Sequence, residues 1–442
     1  MQLGKEKKKQ PKKANNMKRV LVITYYWPPA GGPGVQRTLK FCKYLLEFGW
    51  QPIVLTVKDG NYPAIDQTLF QDIPPEVIII KTFSLEPFAI YNLLHGKNPK
   101  SSIPTHVLSN SKKESLPQKV FKWIRANLFI PDARIGWVPF LVTKGKQLIR
   151  EYQPELIFSS SPPHSLQLGA AKLSKQSGIP LVCDLRDPWT EAFWVKGLAR
   201  TKASRQRDKG IELKTLKQAT QIITVSKGLR DSFAKITDRK IRVITNGFDE
   251  EDFCECTKSR ESKFRICHTG NVRTAQFAQK FFDGIADLPQ DILANLELHF
   301  FGNVHNKILN YIKQNKVVEN YHFHGYVSHE RVVKEICSSD ILVVFSTNTE
   351  GSKGVLTAKL FEYLRTGNYI IAYGEKGCEI EEILDETECG KMFTFSESCR
   401  DQIIDQYRLW KSGAQVSYGN NKVSGYARKR LTADLVEIFE EL

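Results

Sequence analysis

Lys359-Leu-Phe-Glu-Tyr-Leu-Arg-Thr-Gly367 is followed, after one asparagine, by the apolar run Tyr369-Ile-Ile-Ala-Tyr373. The pattern predicts an amphipathic helix closed by Gly367 and then a buried strand. Lys359 and Glu362 stand three residues apart, on neighbouring positions of that helix. Upstream, Glu350-Gly-Ser-Lys-Gly354 is a small-residue loop, and Thr357 occupies the expected N-cap position. A flexible loop feeding a helix N-terminus makes an anion site, because unpaired backbone N–H groups and the helix dipole point outward. A carboxylate inside the same helix can then bind hydroxyls of a ligand whose phosphates rest on the N-terminus. Taken alone, an i,i+3 pair of opposite charges is equally well a solvated ion pair. The rest of the chain decides.

Working outward, strands and helices alternate. Val20–Thr24 reads as a strand, followed by the glycine loop Gly31-Gly-Pro-Gly34 and a helix from Gln36 to Phe48 that stops at Gly49. Further strands are expected at Pro52–Val57, Val77–Lys81, Leu156–Ser160, Pro180–Asp184 and Gln221–Val225. Leu93–Ser115 is a polar insertion too long for a tight turn. The alternation pauses at Phe253–Lys263, a charged stretch that reads as a linker. It restarts at Phe264–His268 and continues through Leu296–Phe301, Tyr321–His324 and Ile341–Phe345. This predicts an α/β chain of two successive doubly wound parallel-sheet units. Ligands of such sheets lie beyond the carboxyl ends of the strands, here in the cleft between the units.

Five segments together resemble one known group. They are the opening helix, Val20-Leu-Val-Ile-Thr-Tyr-Tyr-Trp-Pro-Pro-Ala-Gly-Gly-Pro-Gly34, the pair Ser160-Ser-Pro-Pro-His-Ser165 and Asp184-Leu-Arg-Asp-Pro-Trp189, then Val243-Ile-Thr-Asn-Gly-Phe-Asp249 and His268-Thr-Gly-Asn271. In this order they are similar to family-4-type glycosyltransferases of the GT-B fold, over roughly Met17 to Ile438. The resemblance implies two Rossmann-like domains, residues 17–252 and 264–424, joined by a linker at 253–263. It also implies that the amphipathic segment 425–442 crosses back to complete the first domain. The expected activity is transfer of a sugar from a nucleoside-diphosphate sugar, with retention of configuration and with neither a metal nor a cofactor. No Asp-x-Asp metal motif occurs in the chain, which agrees. A nucleotide-sugar epimerase shares the same cleft, and a catalytically silent binding subunit would share the same fold.

Several side chains become candidates. In the group it resembles, the glutamate matching Glu362 binds the donor ribose. Arg273, after the Thr269-Gly270-Asn271 loop, is the first choice to stabilise the departing diphosphate, with Lys280 and Lys359 as further cations. Gly31 and Gly32 would let the backbone approach the donor diphosphate or the acceptor closely. Asp184, Arg186 and Asp187 follow a strand, where an acid could orient acceptor hydroxyls and the arginine could equally fix the loop between two acids. His164 at the end of the preceding strand could accept a hydroxyl proton or serve as a structural imidazole. One departure matters. Many relatives carry a glutamate seven residues before the ribose-binding one, and here that position is Gly354, with Glu350 four residues earlier. That glutamate normally holds the donor sugar, so the donor's identity stays open, as does a weak or inactive enzyme. A dinucleotide fingerprint is excluded at Gly31–Gly34, since three residues after Gly34 stands Arg37 rather than glycine.

Composition fits this reading. The 442 residues suggest two domains, and 41% hydrophobic with 25% charged residues is ordinary globular material. No apolar run is long enough to span a bilayer, and the charged N-terminus lacks the apolar core of a secretory signal. The nine scattered cysteines show no Cys-x2-Cys pair, which argues against structural zinc and for reduced thiols in a cytoplasmic protein. Of the net +16, residues 1–19 supply +7, from eight Lys/Arg against Glu6. Residues 1–16 read as a disordered basic tail or as residues preceding a start at Met17. Two further basic concentrations lie at Lys97–Arg125 and Lys196–Lys217. No nucleic-acid-binding motif accompanies them. An anionic membrane surface suits them better, because Leu116–Leu128 places Val120, Phe121, Ile124 and Leu128 on one helix face with Lys119, Lys122 and Arg125 elsewhere. The same helix could instead pack on its own domain. The expected acceptor is a glycan or lipid-linked molecule in cell-envelope polysaccharide synthesis, handled at the inner face of the membrane.

Overall fold

In the computed structural model, residues 17–62, 64–85, 116–254, 262–314, 318–347 and 356–442 are described. The basic tail 1–16, the insertion at Leu93–Ser115, most of the linker, Glu350 and Gly354 lie outside these residues. Thirteen described strands form two parallel sheets. The first holds β1 (Lys18–Thr24), β2 (Trp50–Val57), β3 (Ile78–Thr82), β4 (Leu156–Ser161), β5 (Leu181–Leu185), β6 (Gln221–Thr224) and β7 (Ile241–Val243). The second holds β8 (Phe264–Thr269), β9 (Leu296–Phe301), β10 (Tyr321–Gly325), β11 (Ile341–Phe345), β12 (Tyr369–Tyr373) and β13 (Gly390–Phe393).

The strand orders are 3-2-1-4-5-6-7 and 10-9-8-11-12-13. Each order reverses beside its first strand, between β1 and β4 and between β8 and β11, and at such switch points loops splay apart to open a crevice. The alternation of β1 explains the layering: Leu21 and Ile23 enter one core, Val20 and Val22 the other. Helix α1 (Pro33–Leu45) turns Leu39, Cys42 and Leu45 into the second of these cores. Four other helices matter below: α2 (Leu116–Leu128), α3 (Lys202–Gln218), α4 (His329–Cys337) and α5 (Ala358–Thr366). The last helix, α6 (Arg428–Glu440), lays Leu431, Leu435, Ile438 and Phe439 against the first sheet, although the chain reaches it from the second.

Polar contacts tie the segment after β7 to the first domain. Lys40 is buried and reaches Asp249 and Asp252 at 2.7 Å and Asp72 at 3.0 Å. Phe253, expected at the start of the linker, is 4% exposed and packs with Phe248 in the second domain's core. A uniformly reduced set of thiols is also not what the structure holds. Seven described cysteines are free, but Cys337 is disulfide-bonded.

Candidate active site

The helix that opened the sequence reading is α5, ended by Gly367 in the left-handed conformation. Leu360, Phe361, Tyr363 and Leu364 are buried, which leaves Lys359 and Glu362 on the other side. Thr357 sits at the N-cap but makes no side-chain capping bond. Glu362 accepts a hydrogen bond through Oε1 from His329 Nε2 at 2.9 Å, and both side chains are 20% exposed. Burial alone would push the His329 imidazole down, yet the Glu362 carboxylate, with Asp252 nearby, raises it to about 9. The pair is therefore ionic at neutral pH. Glu362 Oε2 has no hydrogen bond among the described residues, so one carboxylate oxygen is anchored and the other remains available.

Lys359 lies along the loop after β8. Gly270 there has φ +91°, which favours glycine, and a Cβ on it would stand 2.3 Å from Lys359 Cε and displace the end of the lysine. Burial pushes the Lys359 ammonium down to about 8, against the pull of Glu362, and the nearby Arg273 adds to the lowering. Neither Lys359 nor Arg273 forms an ion pair among the described residues. Two cations free of close ion pairs at a switch point are an arrangement that can hold an anion. Asn271 beside them accepts a hydrogen bond from the Asn303 backbone at 2.9 Å and holds the loop. Lys280 does not join the group: its half-exposed ammonium pairs with Asp283 of its own helix at 3.6 Å.

On the facing domain, a Cβ on Gly31 would stand 2.7 Å from the Tyr326 hydroxyl, so the glycine loop closes directly onto the second domain. Gly32 is the N-cap of α1. Asp66 Oδ2 accepts from the His329 backbone N–H at 3.2 Å, placing an acid on the N-terminus of α4 and bridging the cleft. Farther out, Glu379 accepts from the backbone N–H groups of Lys227 and Gly228 at 2.9 and 2.6 Å.

Three of the four residues expected to act chemically are otherwise engaged. Asp184 is fully buried, bound by Arg37 Nη2 at 2.9 Å and Nε at 3.0 Å and by Ser160 Oγ at 2.7 Å, so no acceptor reaches it. Arg186 fixes the loops, but through carbonyls rather than acids. It donates to Gly34 at 2.7 Å, Ser161 at 3.0 Å and Pro162 at 3.3 Å. His164 lies flat on Trp189, with ring centroids 4.7 Å apart. Its Nε2–H must donate to the Pro188 carbonyl at 3.2 Å, which leaves Nδ1 to accept from Ser161 Oγ at 3.2 Å. Burial holds its pKa below the ordinary value, and it is a satisfied structural imidazole. Arg273 alone of the four is exposed, and it lies near enough to Lys359 to lower that ammonium's pKa. Asp187 is partly exposed at the same strand end. The residues that sequence reading missed are His329, Asp66 and Tyr326.

Residues 99–252 match the family model of Glycosyltransferase Family 4. Over that stretch the chain is similar to family-4 glycosyltransferases. The Anabaena HepE structure with UDP superposes with a TM-score of 0.63 at 13% identity, over 96% of this chain and 100% of that one. Sucrose-phosphate synthase from Thermosynechococcus elongatus gives 0.63 at 13% identity, over 96% and 98%. WaaG, a glycosyltransferase involved in lipopolysaccharide biosynthesis, gives 0.54 at 12% identity, over 95% and 99%. No curated protein sequence matches this chain. At these identities the superpositions establish the GT-B fold. Among the described residues no helix is long and apolar enough to cross a membrane.

Proposed function

We propose that the chain transfers a sugar from a nucleoside-diphosphate donor to a glycan or lipid-linked acceptor of the cell envelope, with retention and without a metal. The observation that carries this reading is the arrangement of Lys359 and Arg273, without a close ion pair among the described residues, beside Gly270, with the free oxygen of Glu362 one helical turn along α5. The cations take the diphosphate and the carboxylate takes the ribose hydroxyls. HepE was solved with UDP and with UDP-glucose, which makes uridine the first base to test. A thermal-shift panel of UDP-, GDP-, ADP- and dTDP-sugars identifies the donor, since ligand at about 100 times its dissociation constant adds about 2.7 kcal/mol. Transfer to an acceptor by the purified protein supports the reading. Conversion of the donor without an acceptor points to an epimerase, and donor binding without turnover points to a silent subunit.

Lys359 sets a pH dependence. With its pKa pushed down to about 8, it is protonated below that pH in the free protein. A diphosphate favours the ammonium form, so binding above pH 8 must take up a proton. Affinity for UDP should therefore be level from pH 7 to about 8 and fall above it, by up to about tenfold per pH unit. Lys359→Met should weaken binding and flatten this step in calorimetric titrations. An unchanged slope in the variant would remove Lys359 from the site.

Membrane attachment is the second part of the proposal. Val120, Trp123 and Leu128 of α2 are 55%, 49% and 59% exposed, beside the exposed Lys119. The inward side carries Ala126 and Asn127 instead, the latter donating to the Ala199 carbonyl and accepting from the Thr201 N–H just before α3. In α3 the acids Asp208 and Glu212 are buried, whereas Lys202, Arg205, Arg207, Lys209, Lys214 and Lys217 are exposed. Exposed apolar side chains flanked by a cationic face are the composition of an interfacial surface. Each cation near an anionic bilayer contributes about 1 kcal/mol and is screened over about 8 Å at physiological salt. Sedimentation with anionic vesicles should show binding that falls steeply with salt, weakened by Trp123→Ala and by charge reversal at Lys119 and Arg205, with donor binding unchanged. Absence of binding at low salt would leave a soluble acceptor as the better reading.

A further inference from the structure

Strand β9 reads Leu-Glu-Leu-His-Phe-Phe and the adjoining edge strand β10 reads Tyr-His-Phe-His-Gly. With a two-residue period, Leu298, Phe300 and Tyr321 enter the core, and Glu297, His299, His322 and His324 are left on the opposite face. The parallel register sets His322 beside His299. Their rings stack at 4.8 Å, and one ligand atom each of Glu297, His299 and His322 lies within 4.8 Å of the others. His299 is 8% exposed, with Nε2 3.2 Å from Glu297 Oε2 and Nδ1 3.0 Å from His324 Nε2. This polar group has no part in the cleft described above.

We propose that Glu297, His299 and His322 form a binding site for one borderline transition-metal ion of the Zn²⁺ class, with His324 as the positioning residue. Two imidazoles and one carboxylate are a zinc-type donor set, and bond lengths of about 2.0–2.2 Å require the ligand atoms to close up around the ion by side-chain rotation. Glu297 and His322 are only partly buried and are free to make that movement, while the buried His299 provides the fixed point. The proton arrangement is specific. Without metal, His299 Nε2–H donates to Glu297, and His324 Nε2–H donates to His299 Nδ1. With metal on Nε2, the His299 proton shifts to Nδ1 and the His324 proton moves from Nε2 to its own Nδ1, so that His299 Nδ1–H donates to His324 Nε2, the orienting contact that metal-bound imidazoles commonly make. Arg265, 4.0 Å from Glu297, does not leave the site cationic, since it also lies 3.5 Å from Glu335 of α4.

The test uses untagged, full-length protein titrated with Co²⁺ and, by equilibrium dialysis, with Zn²⁺. The expected result is one ion per chain, with visible cobalt bands of nitrogen and oxygen ligation. His322→Ala and Glu297→Gln should each weaken uptake at least about tenfold while leaving the metal-free melting temperature unchanged. His324→Ala should weaken uptake but keep the cobalt band shape, the mark of a positioning residue. Either half-exposed variant suffices if the other fails to fold. No stoichiometric uptake, uptake that survives both substitutions, or a thiolate charge-transfer band marking cysteine ligation overturns the proposal.

Discussion

Glu362→Ala should weaken binding of the nucleoside diphosphate donor by roughly 1.5–3 kcal/mol, or ten- to hundredfold, the range for hydrogen bonds to a charged group. The geometry sharpens the expectation. Oε1 is spent on His329, so any ribose contact goes to Oε2, and Glu362→Gln keeps the length of the side chain while removing its charge. The same substitution has a second readout. His329 has a folded pKa raised above its unfolded value, to about 9, so its pairing stabilises the protein fully below about pH 6.5 and ceases to do so as pH rises through 9. Wild-type melting temperature should fall across that window, and the variant should lose the slope. Both effects together would tie donor binding to the contact between the domains, because His329 also donates its backbone N–H to Asp66 of the first domain. A variant that binds donor normally and loses only the slope would make the pair purely structural.

The legible parts of this chain were those encoded locally. A 3.6-residue period closed by Gly367, or an apolar run such as Ile341–Phe345, announces its element wherever the rest of the chain goes. Placing Lys359 and Glu362 needed no more than that. Asp184 was misjudged for the opposite reason. Its position at the end of a strand was visible, but the arginine that neutralises it is 147 residues away, on α1. For His164 the sequence left a proton acceptor and a structural imidazole equally open, because the carbonyl and the tryptophan that engage it are brought in by the next strand. His329 lies 33 residues before Glu362 with no motif around it, and only the packing of α4 against α5 joins them. The Glu-x-His and His-x-His alternations of β9 and β10 were also in plain view, but their register is a tertiary fact.

Removing the charge of Asp184 should be among the most destabilising single changes available to the first domain. Arg37 and Asp184 are both fully buried, and the guanidinium's remaining donors go to the carbonyls of Ile244 and Thr245 at 2.9 and 2.7 Å. This arrangement ties α1, the end of β5 and the exit of β7 to one point behind the glycine loop. Asp184→Ala leaves an uncompensated buried cation, a loss of about 3–5 kcal/mol. At 2–4 °C per kcal/mol for a domain of this size, the first unfolding transition should drop by roughly 6–20 °C. Arg37→Met in the same chain should recover much of that, since replacing both members of a buried pair by apolar side chains is often close to neutral. Calorimetry on the two single variants and the double variant measures the coupling directly. The contrary outcome is equally clear: if Asp184 oriented an acceptor, Asp184→Ala would keep its transition and lose turnover. With both oxygens held by Arg37 and Ser160 and no exposed atom, the carboxylate acts by holding the cleft wall in place, and the fall in stability should come first.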